Sequence, residues 1–263
     1  MRHTLFAALA AFASIGIGLI ACSDDSTSPS TPLDAGSADF DTGTRTEDSG
    51  GSSNVDSSTV TDTGAPEAEA APPDLNFFTD FEGTLPAEID PGTGLITGTE
   101  DYSTLGPAGK TFSAKFLRSQ TANVVKVTLD NLPPHKTISI AFLFAAIDSL
   151  DGTGTFPAGD FFKVTVDGVS VFRESFANAT DQQVQSYVPP MGGELARRVD
   201  LGFQGPGGYY TDSAYDMNVE PKFKNIAHTA STLKIEFTIE GEGNQMLDDE
   251  SWAIDNLRIT SAN

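Results

Sequence analysis

Three features of the sequence predict an all-β domain over residues 76–263 of the 263-residue chain, built as a two-sheet antiparallel β-sandwich of jelly-roll type. Apolar residues alternate with period two, no window carries a sustained helical stripe, and the apolar runs are short and separated by Gly- and Pro-rich connections. A sandwich buries one face of each strand, and that is what such alternation encodes.

Strands are expected first at residues 77–81, 112–117 and 124–129. "TISIAFLFAAI" is apolar on both sides over residues 140–146, the pattern of a central strand covered on both faces. "FFKVTVDGVSVF" reads as a hairpin with Phe162, Val164 and Val166 on one face, and Asp167-Gly168 suits the positive backbone angles of a type I′ turn. Between residues 176 and 223 the alternation dissolves into Gly, Pro, Tyr and Asp, with one helical turn expected at residues 194–198. Loops this long are functional or pinned by something. "TLKIEFTIE" sets Leu233, Ile235, Phe237 and Ile239 on a buried face, against Lys234, Glu236, Thr238 and Glu240 on a solvated one. In "SWAIDNLRIT" the large apolar residues fall at Trp252 and Ile254 and then at Leu257 and Ile259, so their parity switches across Asp255-Asn256. This predicts a β-bulge there, the alternative being a strand that ends and a new one that starts. Trp252 is read as core.

Ahead of the domain, residues 1–21 carry a charged start (Arg2, His3) and an apolar run from Leu5 to Ile20, the pattern of an export signal. The run is short of the ~20 apolar residues of a spanning helix. "LIAC", ending at Cys22, resembles the bacterial lipobox. The resemblance implies a lipoprotein in which Cys22 is acylated and becomes the first residue of the mature chain, the alternative being a secreted protein whose Cys22 leaves with the signal. Ser23 lacks the aspartate that retains lipoproteins on the inner membrane in some bacteria, so the outer membrane or cell surface is expected. Two or three acyl chains give stable attachment where one does not. Residues 22–75 are Ser, Thr, Asp, Gly, Pro and Ala with few large apolar side chains, and from Ser23 to Leu75 a single Arg45 faces nine Asp and three Glu. Such a segment is expected to be a disordered, self-repelling spacer.

The formal net charge of −22 comes from 37 Asp and Glu against 15 Lys and Arg. No basic run exists to displace counterions from phosphates, so nucleic acid is not an expected partner. Cationic partners (a metal ion, a basic protein, an amine-bearing polymer) remain, beside the plain reading that the charge confers solubility. With Cys22 the only cysteine, the domain has no disulfide to hold its long loops.

"FFTDFEG" and "DDESWAIDNLRI" resemble the terminal strands of extracellular jelly-roll domains, notably calcium-containing carbohydrate-binding modules and MAM-like domains. That resemblance implies a structural Ca²⁺ held between an early acid and a late Asp, here Glu82 and Asp255. Calcium takes six to eight oxygens, and three acidic clusters offer them: Asp80 with Glu82; Asp148, Asp151 and Asp160; and Asp248, Asp249, Glu250 and Asp255. Turn formation is the competing explanation for these Asp-Gly-rich stretches.

No catalytic residue is assigned. His135 and His228 lack zinc-ligand spacing and are read as loop residues bonding backbone, and no Gly-x-Ser-x-Gly motif is present. Carboxylate pairs on one strand, as in sandwich glycosidases, reduce here to Glu236 and Glu240 on a solvated face. "GPGGYYTDSAYD" offers Tyr209, Tyr210 and Tyr215 with Asp212 and Asp216, aromatic platforms beside polar groups that suit a sugar ring. The same tyrosines would equally cover a sandwich edge. The expected function is a Ca²⁺-stabilised, lipid-anchored surface module that binds a glycan or another surface molecule. The alternatives are a structural or protein-interaction module without a small ligand, and a polysaccharide-degrading enzyme.

Overall fold

The computed structural model describes residues 74–153, 159–203, 210–241 and 245–263. The expected export signal, Cys22 with residues 23–73 of the expected spacer, and Tyr209 lie outside the described residues. Among the described residues thirteen strands follow in chain order: β1 (Asn76–Thr79), β2 (Ile89–Asp90), β3 (Leu95–Gly98), β4 (Lys115–Gln120), β5 (Val125–Leu129), β6 (Thr137–Asp148), β7 (Asp160–Val166), β8 (Val169–Ser175), β9 (Glu194–Val199), β10 (Asp212–Asp216), β11 (Ile226–Ala227), β12 (Leu233–Gly241) and β13 (Glu250–Ala262).

They form the expected all-β jelly-roll sandwich of two antiparallel sheets. One runs β3-β4-β13-β6-β10-β9, with β1 added to β13 and β11 to β6; the other runs β2-β5-β12-β7-β8. The main core lies between the sheets. β12 contributes Leu233, Ile235, Phe237 and Ile239 to it, and β7 contributes Phe162 and Val164, as their period-two alternation dictates. Asp167 and Gly168 both have positive φ, +48° and +80°, so the β7–β8 hairpin closes as read.

β6 is apolar on both sides because it has two cores to fill. Ile140, Phe142, Phe144 and Ala146 face the opposite sheet. Leu143, Ala145 and Ile147 face outward, under a second apolar cluster of Tyr102, Phe112, Phe116 and Phe203. Tyr102 packs edge-on against Phe112 at 5.3 Å, and Phe116 stacks on Phe203 at 5.8 Å.

β13 is irregular where its parity switches. Asp255 pairs with Leu143 and the next paired residue, Arg258, with Ala141, so three steps on β13 match two on β6. Asn256, at φ +51°, takes up the extra residue. Trp252, Ile254, Leu257 and Ile259 consequently all reach the inter-sheet core.

One expected element is corrected. Residues 194–198 form no helical turn but most of edge strand β9, paired with β10 through Asp212–Val199, Ala214–Ala196 and Tyr215–Glu194. "ELARR" has local helix preference, but a free edge beside β10 offered its backbone a ladder, and tertiary pairing overrides propensity. Arg198, at φ +52°, breaks the register and donates from Nη2 to Gln183 O at 2.6 Å.

Candidate metal centre

Asp151, Asp160 and Glu250 come together at the end of the sandwich where β6 gives way to its loop. Asp148, at φ +65°, turns the chain out of β6; Asp160 opens β7 and Glu250 opens β13. One carboxylate oxygen from each of the three lies within 4.8 Å of the others, with Asp160 and Glu250 buried and Asp151 half-buried. Asp151 N donates to Asp160 Oδ2 at 2.5 Å, and Gln183 Nε2 donates to Asp151 Oδ1. Two glycines let the loop close this tightly. A Cβ on Gly152 would lie 2.4 Å from Val184 O, and one on Gly159 would lie 2.4 Å from Gly152 O, both at positive φ.

Three ionised carboxylates at this spacing repel one another unless a cation lies between them. The donor set is all oxygen, which suits a hard divalent ion such as Ca²⁺ rather than zinc, whose structural sites are built from histidine nitrogen and cysteine sulfur. Of the acids singled out in the sequence, the grouping takes Asp151 and Asp160 from the second cluster and Glu250 from the third.

The remaining acids have other partners. Asp148 is fully buried and pairs with Arg118, Nη2 to Oδ2 at 3.2 Å. That arginine also donates to Ser251 Oγ (2.9 Å) and Leu247 O (2.6 Å) and lies 4.1 Å over the Phe203 ring. Burial pushes Asp148 up to about 7, with Asp212 adding to the rise and Arg118 opposing it. Asp212 accepts from Asp148 N (3.0 Å) and Leu201 N (2.8 Å); burial raises it to about 6 against those two bonds. Asp249 Oδ1 accepts from the Tyr210 hydroxyl at 3.3 Å.

Glu82 and Asp255 stand apart from the three-carboxylate grouping, and each ends on the segment leading into β4. Asp255 Oδ2 accepts from Ser113 N (2.8 Å) and Oγ (2.9 Å), while Glu82 Oε1 accepts from Lys115 N (2.6 Å). Burial raises Asp255 to about 6 in spite of its bonds from Ser113 and Asn256.

Three of the proposed ligand-binding residues prove to be internal, which corrects their expected role. Tyr215 is fully buried, its ring 5.1 Å from Phe176 and 5.5 Å from Tyr187 and its hydroxyl donating to Gln185 Oε1. β10 runs between β6 and β9, so Tyr215, opposite Phe144, points between the sheets, where no sugar can stack. Asp212 is buried in its backbone bonds, and Asp216 caps the 3₁₀ turn Met217–Val219 by accepting from Asn218 N. Tyr210, half-buried, remains at the rim.

The histidines bond one another as well as backbone. His135 Nε2 lies 2.6 Å from His228 Nδ1, His135 Nδ1 lies 2.6 Å from Pro133 O, and His228 Nε2 approaches Asp167 Oδ2 at 3.1 Å.

No protein-family model matches the sequence, and no curated protein does. Among solved structures the chain is similar to the Agl-KA catalytic domain, at 14% identity over 73% of this chain and 28% of that one, TM-score 0.32. It is similar also to the catalytic domain of a GH87 alpha-1,3-glucanase in complex with tetrasaccharides, at 16% identity over 72% of this chain and 28% of that one, TM-score 0.28. A third is the CBM22-1 and GH10 modules of Clostridium thermocellum xylanase 10B complexed with xylohexaose, at 11% identity over 67% of this chain and 27% of that one, TM-score 0.24. The chain thus spans under a third of the length of each.

Proposed function

We propose that the chain is an exported, lipid-anchored surface module whose sandwich is braced by Ca²⁺ and which binds a glycan. The observation that carries this reading is the meeting of Asp151, Asp160 and Glu250 at one end of the sandwich, two of them buried, in a domain without cysteine. A cation there ties the loop between β6 and β7 to the start of β13, the work a disulfide would do in another exported domain. Tyr210 supports the same end as the ligand surface: its hydroxyl bonds Asp249, the residue before Glu250, and so ties the segment leading into β10 to the start of β13. Cys22 supplies the anchor and residues 23–75 the spacer that carries the domain clear of the bilayer.

A glycan array probed with the full chain, in calcium and in chelator, tests this reading. Capture of at least one glycan in calcium, weakened by chelator and by Tyr210→Ala, is expected. An empty array in calcium contradicts the glycan reading and leaves a structural module. Release of reducing sugar from any captured polysaccharide would instead make the chain a hydrolase.

A further inference from the structure

A second concave site lies away from the carboxylates, on the outer face of the larger sheet beside the β13 bulge. The bulge places Asn256 and Arg258 two residues apart next to β1, where Phe78 pairs with Arg258. Phe78, Lys110, Asn218, Asn256 and Arg258 line a cleft of about 310 Å³ there, at the small end of the ~300–1,000 Å³ typical of small-ligand pockets.

Its chemistry is opposite to that of the chain as a whole. Among the described residues Lys110 and Arg258 have no carboxylate at ion-pair distance, although acids outnumber bases 37 to 15 in the sequence. Lys224 stands nearby with the same lack. Burial holds its ammonium below the ordinary lysine value, and the charge of Lys110 lowers it further against the opposing charge of Asp216.

The cleft is also held in place. Arg258 lies over the Phe78 ring at 4.7 Å and donates from Nη1 to Asn76 Oδ1, which leaves further guanidinium N–H groups for a ligand. Asn256 Nδ2 donates to Thr111 O at 2.6 Å and so fastens the loop that carries Lys110 to the bulge. Asn218 is set by Asp216, which accepts from its backbone N at 2.9 Å and from its side-chain amide.

We infer that this cleft binds the carboxylate of an acidic sugar, a uronic acid residue of a polysaccharide. Arg258 and Lys110 take the carboxylate, and the amides of Asn218 and Asn256 take ring hydroxyls. Arginine's fork matches a carboxylate in two parallel hydrogen bonds, amides both donate to and accept from hydroxyls, and the volume suits a sugar unit. This inference rests on the glycan-binding reading and names its ligand class and a second seat for it.

Isothermal titration calorimetry of the full chain with tri-galacturonate, against neutral galactotriose, tests it. Tri-galacturonate is expected to bind at least about tenfold more tightly, the worth of one charged hydrogen-bond pair, and added salt is expected to weaken it. Arg258→Gln and Lys110→Gln, both at exposed positions, are each expected to weaken it about tenfold on the same ground, while Lys234→Gln on the opposite sheet leaves it unchanged. Unaltered melting temperatures establish that the variants fold. Equal affinity for the two sugars, or acid-selective binding that survives the Arg258→Gln, Lys110→Gln double variant, overturns the cleft. If neutral glycans are captured and lost with Tyr210→Ala while tri-galacturonate binds no more tightly than galactotriose, the cleft fails and the loop-end reading stands; if neither trisaccharide binds and the array is empty, both fail.

Discussion

The two outer faces of the sandwich treat charge in opposite ways. On the five-stranded sheet the outer face is open: Glu240 lies between Lys163 (3.0 Å) and Arg173 (2.6 Å), with the three side chains 31–47% exposed. On the larger sheet the Tyr102, Phe112, Phe116 and Phe203 cluster covers part of the outer face, and the Arg118–Asp148 pair beside it is buried. Asp148 is 1% exposed in its side chain and has one guanidinium for company. Solvent screens the first arrangement, so its charges need little design. The second requires a partner for every ion, because desolvation in the interior is costly. The contrast teaches where to look for function: the open face carries a solvated network, whereas buried carboxylates gather at the end where β6, β7 and β13 meet.

The difference is most sharply broken by Arg118→Met, which strands the buried Asp148. A loss of about 3–5 kcal/mol is expected on denaturant unfolding, as when one partner of a buried ion pair is removed. Adding Asp148→Asn should return much of it. A loss below 1 kcal/mol in the single variant would mean that water reaches this pair and that the two faces are alike.

pH separates the faces next, by sign. Asp148, Asp212 and Asp255 are raised to about 7, about 6 and about 6 from an ordinary 3.8. Between these values the native state holds protons that the unfolded chain has given up. Their contribution is therefore complete below 3.8 and lost as pH rises through 6 to 7. Glu240 behaves oppositely: burial pushes it up, but Arg173 and Lys163 outweigh that and leave it lowered, so its contribution is lost on acidification. In chelator, the melting temperature is expected to climb as pH falls from 8 to 5; a flat or falling profile would show that the covered face does not desolvate its acids.

Smaller effects belong to the backbone and to the open face. Asn256→Gly should cost about 1 kcal/mol on denaturant unfolding, the bond to Thr111 O alone, and Asn256→Val about 1–2 kcal/mol more, because it puts a β-branched residue at φ +51°. Glu240→Gln should cost no more than about 1 kcal/mol, the usual worth of an exposed ion pair. A larger loss from Glu240→Gln than from Arg118→Met would invert the comparison of the two faces.

Much of this fold is legible in the sequence because strands advertise themselves by parity. The buried face of β12, the type I′ turn at Asp167-Gly168 and the parity switch at Asp255-Asn256 are all local patterns, and each has the expected structure. β9 is not legible, since "ELARRV" is a strand only by virtue of its neighbour β10. Tyr215 misleads for a related reason: β10 is five residues long, all buried, and so short an island shows no alternation by which to tell a core ring from a platform. Arg118 gives no signal either. It sits in a strand like any exposed base, and its partner Asp148 lies 30 residues away on β6. The three-carboxylate grouping is half legible, because acids beside glycines mark the loops, but which acids meet depends on how β7 and β13 start beside the end of β6. The cationic cleft draws on residues 78, 110, 218, 256 and 258, and no local pattern joins them.

The cation brace at Asp151, Asp160 and Glu250 is tested most directly by scanning calorimetry of the full chain in calcium and in chelator. Calcium should raise the melting temperature by the equivalent of about 2.7 kcal/mol at a hundredfold excess over its dissociation constant. Glu250→Gln should abolish that rise, while Glu82→Gln, outside the grouping, leaves it intact. Superimposed curves with and without calcium, or a rise that persists in Glu250→Gln, would contradict a cation held by these three carboxylates.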